Sequence, residues 1–155
     1  MKGNDQVIAT LNDLLSDELT AINQYMVHSA MCENWGYERL HELVEKRAIT
    51  EMKHAESLIE RILFLNGAPI VSNLKKINIG AKVESQLAYD LNAELDAVKA
   101  YNAGIKLCVE VGDNGSRELL ESILKDEEEH VDWLEAQLDQ IEHMGISDYL
   151  GEQIS

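Results

Sequence analysis

Proline occurs once in this chain of 155 residues, phenylalanine once and cysteine twice, and aromatic residues make up 5%. So little proline and aromatic surface, against 45% apolar residues, argues against a many-stranded β fold and favours an all-α chain. The two cysteines, Cys32 and Cys108, stand far apart and each lies inside a helical pattern. Reduced, buried thiols are therefore expected rather than a disulfide scaffold. No C-x-x-C pair is present, which argues against a zinc ribbon or a rubredoxin-like centre. Basic residues are also scarce, 13 against 29 acidic, giving a net charge of -16. Such a surface repels phosphate backbones and anionic headgroups, so neither nucleic acid nor membrane is an expected partner, and cations are. No apolar run is long enough for a signal peptide or a membrane span, and a cytoplasmic location is expected. The length is that of one domain, residues 1–155, able to bury a core without staples.

What is present is helical periodicity. Val7, Leu11, Leu15, Leu19, Ile22 and Met26 keep the spacing of one helical stripe up to "NWG" at residues 34–36. A second helix is predicted from about Tyr37 to Asn66, stopping at "NGAP", where Gly67 suits a helix end and Pro69 prevents continuation. A third runs from about Val83 to Val111, and a fourth from about Ser116 to His143 after the turn "GDNG". A short fifth helix closes the chain. Tight turns make helices one and two, and three and four, antiparallel hairpins. The intervening stretch, residues 67–82, spans roughly 53 Å if extended, against about 45 Å for a thirty-residue helix. It can cross the whole length of a four-helix bundle.

The two hairpins are copies of one another. At an offset of 76 positions Val7 meets Val83, Leu11 meets Leu87 and Leu15 meets Leu91. Matches of polar or special residues carry more weight: Glu18 with Glu94, Tyr25 with Tyr101, Cys32 with Cys108, Gly36 with Gly112, Glu51 with Glu127, and His54 with His130. Each hairpin thus offers a lone glutamate on its first helix and a Glu-x-x-His pair on its second. Residues three apart share a helix face, and counting from each turn brings all six groups to one level. Leu11, Leu15, Glu18, Ile22 and Tyr25 fall in one row, as do Leu120, Ile123, Glu127, His130 and Leu134. The acids therefore interrupt apolar rows and face inward, whereas Glu128 and Glu129 face out.

Four buried glutamates need compensating charge. Two divalent cations would supply it, and four carboxylates with two imidazoles form the hard oxygen and nitrogen set of di-iron or di-manganese carboxylate bundles. That chemistry suits oxidation of Fe²⁺ by O₂ or H₂O₂.

The chain resembles a bacterioferritin over essentially its whole length. The resemblance rests on "ELTAINQY", "NWGYERL", "EMKHAE", "RILFLNGAP" and "DEEEHVDWLE". It implies a ferritin-like four-helix bundle with a long crossover between helices two and three and a short C-terminal helix. It also implies a ferroxidase that stores ferric mineral inside a homo-oligomeric cage, a 24-mer built from twofold dimers. Carried over residue by residue, one iron would be held by Glu18 and His54, the other by Glu94 and His130, with Glu51 and Glu127 bridging. Tyr25 would stand beside the centre as a hydrogen-bond or redox participant. Met52, about 100° around the helix from Glu51, matches the axial ligand of a haem b shared by two subunits. No C-x-x-C-H motif is present, so such a haem would be noncovalent. A ferredoxin would be the partner for iron release.

The chain departs from some members at Lys46 and Thr50, where those carry the histidine and acid of an inner-surface iron site, and at Leu58, where they carry tyrosine. A di-iron oxidase or peroxidase of the rubrerythrin kind, turning over without storing mineral, is the alternative reading.

Overall fold

The computed structural model describes residues 1–155 and is all-helical. Four long helices, α1 (Asp5–Asn34), α2 (Glu38–Phe64), α3 (Val83–Val111) and α4 (Asn114–Met144), are followed by the short α5 (Ile146–Gly151). No helix is long and apolar enough to cross a membrane. Helices α1 and α2 pack as one hairpin and α3 and α4 as the other, with α1 against α3. These bounds lie within about two residues of the periodicity, the ordinary uncertainty of helix ends.

Local chemistry sets the ends. The Asn4 side chain accepts from the backbone N–H of Gln6 and Val7, capping α1, and Asp113 accepts from that of Ser116, capping α4. The repeat-matched glycines Gly36 and Gly112 both sit at hairpin turns with φ of 85° and 75°. Both turns therefore need a residue without a Cβ, which explains this pair of matches. The end of α2 differs from expectation: Asn66 takes the left-handed conformation, at φ 60°. Gly67 is needed for another reason, since a Cβ there would meet Ile8 Cγ2 at 2.7 Å.

The crossover between Phe64 and Val83 has no regular structure and is held by a ladder of side chains from α1. Asn12 bonds Ala68 O and Ile70 N, and Ser16 donates to Asn73 O. Further along, Thr20 accepts from Lys75 N, Gln24 from Asn78 N, and His28 Nε2 from Gly80 N. These five residues are four apart, so a polar stripe on one helix face satisfies the extended segment and carries it parallel to α1. At the far end, buried Asp90 of α3 accepts from Gln24 and pairs with His28 Nδ1, locking crossover, α1 and α3 together.

The apolar core is in two parts. One contains Leu11, Leu15, Leu58, Ile62, Cys108 and Leu120, and the other Tyr25, Cys32, Leu40, Val44, Leu87, Leu134 and Tyr149. The two cysteines are free and buried, one in each part. Between the parts lies a polar layer, at the level where the six glutamates and histidines were expected.

Candidate metal centre

Each of the four long helices contributes to that layer. Glu18 comes from α1, Glu51 and His54 from α2, Glu94 from α3, and Glu127 and His130 from α4. All six are buried, none more than 8% exposed, while Glu128 and Glu129 are exposed. Glu18, Glu51, His54 and Glu127 each present a ligand atom within 4.8 Å of the others, and Glu51, Glu94 and His130 form a second such group. The two groups adjoin and share Glu51, and each could hold a metal ion.

Distances define the first position around His54, whose Nδ1 lies 3.1 Å from Glu127, 3.3 Å from Glu51 and 3.6 Å from Glu18. Its other nitrogen, Nε2, pairs with Asp126 Oδ2 at 2.8 Å, fixing the ring. At the second position His130 Nδ1 lies 3.2 Å from Glu94 Oε1. The His130 ring stacks on Trp133 and meets Tyr25 edge-on, which holds its plane.

Two tyrosines complete the carboxylates. Tyr25 donates to Glu94, and Tyr101 donates to Glu18 Oε1 at 2.5 Å. Burial, then the neighbouring carboxylates, push both phenols well above their ordinary range, so they remain hydrogen-bond donors.

Burial and the cationic side chains of His54 and Arg47 set the balance of ionisation in the layer. Burial, followed by repulsion from Glu51, raises the Glu18 carboxyl well above its usual range, and burial with Glu51 and Glu94 does the same to Glu127. Burial also works against ionisation of Glu51, yet the neighbouring Glu18 and His54 and the charge of Arg47 hold it well below that range. For His54 burial opposes the proton, and contacts with Glu127, Glu18 and Glu51 more than offset it, so the imidazolium is favoured. Arg47 adds a permanent cation: its Nη2 lies 2.6 Å from Glu51, 3.2 Å from Glu127 and 3.6 Å from Glu94. At an effective dielectric of about 20 the Coulomb attraction of each such contact is on the order of 5 kcal/mol, before the cost of burying the charges is subtracted.

The balance leaves hydrogen-bonding capacity unused. Glu18 Oε2, Glu51 Oε1, Glu94 Oε2, Glu127 Oε1 and His130 Nδ1 are buried without a hydrogen-bond partner. Buried polar atoms nearly always have an aligned hydrogen bond, so a converging set that has only ion-pair contacts fits a bound cation. A cavity of about 280 Å³, lined by residues of α1, α3 and the crossover, leads to Glu18, Glu51, Glu94 and Glu127 and includes the exposed Lys75.

Three contributors were not singled out by the sequence. Tyr101 was legible, because the repeat equates it with Tyr25. Arg47 and Asp126 were not, since their repeat partners are Ile123 and Thr50 and carry no matching chemistry. Met52 lies away from this layer, 45% exposed on α2, as is Ile49 one turn before it.

Residues 8–144 match the family described as ferritin-like domain. The chain is 40% identical over 155 residues to a bacterioferritin of Mycobacterium tuberculosis, covering 100% of this chain and 98% of that protein. It is 41% identical over 149 residues to a bacterioferritin of Brucella melitensis, covering 96% and 92%. To a bacterial ferritin of Synechocystis it is 42% identical over 156 residues, with full coverage of both.

Proposed function

This chain belongs to the bacterioferritin family of ferritin-like proteins, and from that membership we propose that it oxidises Fe²⁺ at the buried layer and stores the product. Iron storage is the role that the family supports, and the ferroxidase step is read from the site. The observation that carries it is the convergence of buried Glu18, Glu51, Glu94, Glu127 and His130 atoms, none with an aligned hydrogen bond, in two groups that share Glu51. Glu18 and His54 would hold one substrate Fe²⁺ and Glu94 and His130 the other, with Glu51 and Glu127 between them.

The residues divide the work. Carboxylates supply hard, negatively charged oxygens that favour Fe³⁺ over Fe²⁺ and so assist loss of one electron from each iron to O₂ or H₂O₂. Protons held on Glu18 and Glu127 in the iron-free state leave as Fe²⁺ binds. Tyr25 and Tyr101 orient Glu94 and Glu18 through their hydrogen bonds, and Asp126 orients His54. The cavity beside Lys75 is the route inward for Fe²⁺.

A homo-oligomeric cage is the assembly this family supports, and a 24-mer of twofold dimers would enclose the mineral. A haem b between two subunits fits Met52, whose exposed thioether is a soft donor free of intrachain burial. Such a haem would supply a one-electron path for reducing stored iron, with a ferredoxin as donor.

An anaerobic Fe²⁺ titration of the iron-stripped protein tests the centre. Two tightly bound irons per chain are expected, followed on admission of O₂ by rapid oxidation and retention of many more. Glu127→Ala should slow the rapid phase by about a hundredfold or more. Unchanged kinetics in that variant would refute the reading, and oxidation without retained iron would favour the rubrerythrin-like alternative.

A further inference from the structure

Arg47 reaches into the carboxylates of the proposed metal pair. Its Nη2 lies against Glu51 and Glu127, the carboxylates between the two positions, and against Glu94 beside His130, and has no ion pair with Glu18 on the other side. The fit is incomplete. Nη2 and Nε are buried without an aligned hydrogen bond, and the guanidinium's one hydrogen bond is from Nη1 to Asp126 O at 3.2 Å. We propose that Arg47 is an internal counter-cation holding the Glu94–His130 position in the iron-free protein, and that metal enters this position only when the guanidinium withdraws. The inference rests on the dinuclear reading above.

The chemistry of the two positions differs in consequence. At the first, His54 Nδ1 already faces Glu18, Glu51 and Glu127, and an imidazole nitrogen can become a ligand where it stands. A guanidinium cannot, because it has only donors and keeps its charge at any workable pH. It competes with a divalent ion for the same oxygens and repels it at close range. Loading is therefore stepwise, with the Glu18–His54 position filled first and the Glu94–His130 position filled at the cost of moving Arg47. Arg47 Nη1 already donates to the Asp126 carbonyl of α4, and neither residue lines the cavity formed by α1, α3 and the crossover.

Anaerobic titration of the full-length protein with Co²⁺, followed by calorimetry and visible absorption, reads the two steps without any oxidation. The wild-type protein is expected to take one Co²⁺ per chain tightly and a second at least roughly tenfold more weakly, a gap of about 1.4 kcal/mol. Arg47→Met, similar in length and uncharged, should tighten the second step by that factor or more, and by more than the first step, two of whose carboxylates the guanidinium also touches. Zn²⁺-loaded crystals of the wild-type protein give an independent reading should the variant not fold. There Arg47 is expected to have left all three carboxylates wherever an ion sits between Glu94 and His130. Identical two-step isotherms for the two proteins, or an ion at that position with Arg47 still in contact, would overturn the proposal. Absence of Co²⁺ binding in both proteins would sink the dinuclear reading itself, and this inference with it.

Discussion

Tyr101 of the second hairpin donates its hydroxyl to Glu18 of the first, and the repeat counterpart Tyr25 returns the same bond to Glu94 of the second. Each half therefore supplies the donor for the carboxylate of the other. The pseudo-twofold relation is built into the chemistry of the layer as well as the path of the chain.

Tyr101→Phe removes that donor while keeping the ring, leaving buried Glu18 with an unpaired oxygen. A loss of about 1 to 3 kcal/mol is expected in urea unfolding of the metal-free protein, with Tyr25→Phe costing a similar amount through Glu94. Metal should shrink the loss, because it pairs the freed oxygen. Equal losses with and without Zn²⁺ would disprove a role for these bonds in the metal layer.

Stability of the metal-free protein should fall as pH rises. Glu18 and Glu127 have folded pKa values above their ordinary ones, and so does His54, so the folded chain binds more protons than the unfolded chain across neutral pH. Their contribution is complete below the ordinary values and is lost as pH climbs toward the folded ones. Glu51 is shifted the other way, and its contribution disappears only in acid, below the usual carboxylate range. A lower melting temperature at about pH 8 than at about pH 6 is expected. Metal binding should reverse the trend and release protons, which calorimetry in buffers of different ionisation enthalpy would register.

Met52→Leu should abolish haem binding, seen as loss of the Soret absorption after reconstitution. Fe²⁺ oxidation should remain, since Met52 lies outside the metal layer. Full haem occupancy in the variant would reject the assignment of this thioether.

His28→Ala tests the crossover. The substitution leaves Asp90 without one partner and the Gly80 N–H without its acceptor, both in buried surroundings. A destabilisation of about 2 to 4 kcal/mol is expected, with proteolytic cleavage between α2 and α3 becoming faster. A wild-type cleavage rate would mean that the ladder does not hold the segment.

Most of the fold was written in the sequence because helices bury one face, and one face leaves a period that can be counted. The same logic exposed the six ligand candidates: an acid inside an apolar row is conspicuous, and a second copy at the same offset removes chance. Tyr101 could have been added by that rule. Gly67 shows its limit, since periodicity marks where a helix stops but not which residue turns left-handed: Asn66 does, while Gly67 leaves room for Ile8.

The sequence by itself determined the bundle, the repeat and the inward-facing Glu and Glu-x-x-His groups, because each follows from spacing along one helix. Only the tertiary structure decided what stands among those groups before any metal arrives. The repeat counterparts of Arg47 and Asp126 carry no matching chemistry, and although Arg47 stands four residues before Glu51 on α2, that spacing did not show that its guanidinium would also reach Glu94 and Glu127. Packing of the helices brings Asp126 of α4 against His54 of α2 and Arg47 against carboxylates of α3 and α4, and contacts between helices leave no pattern along the chain.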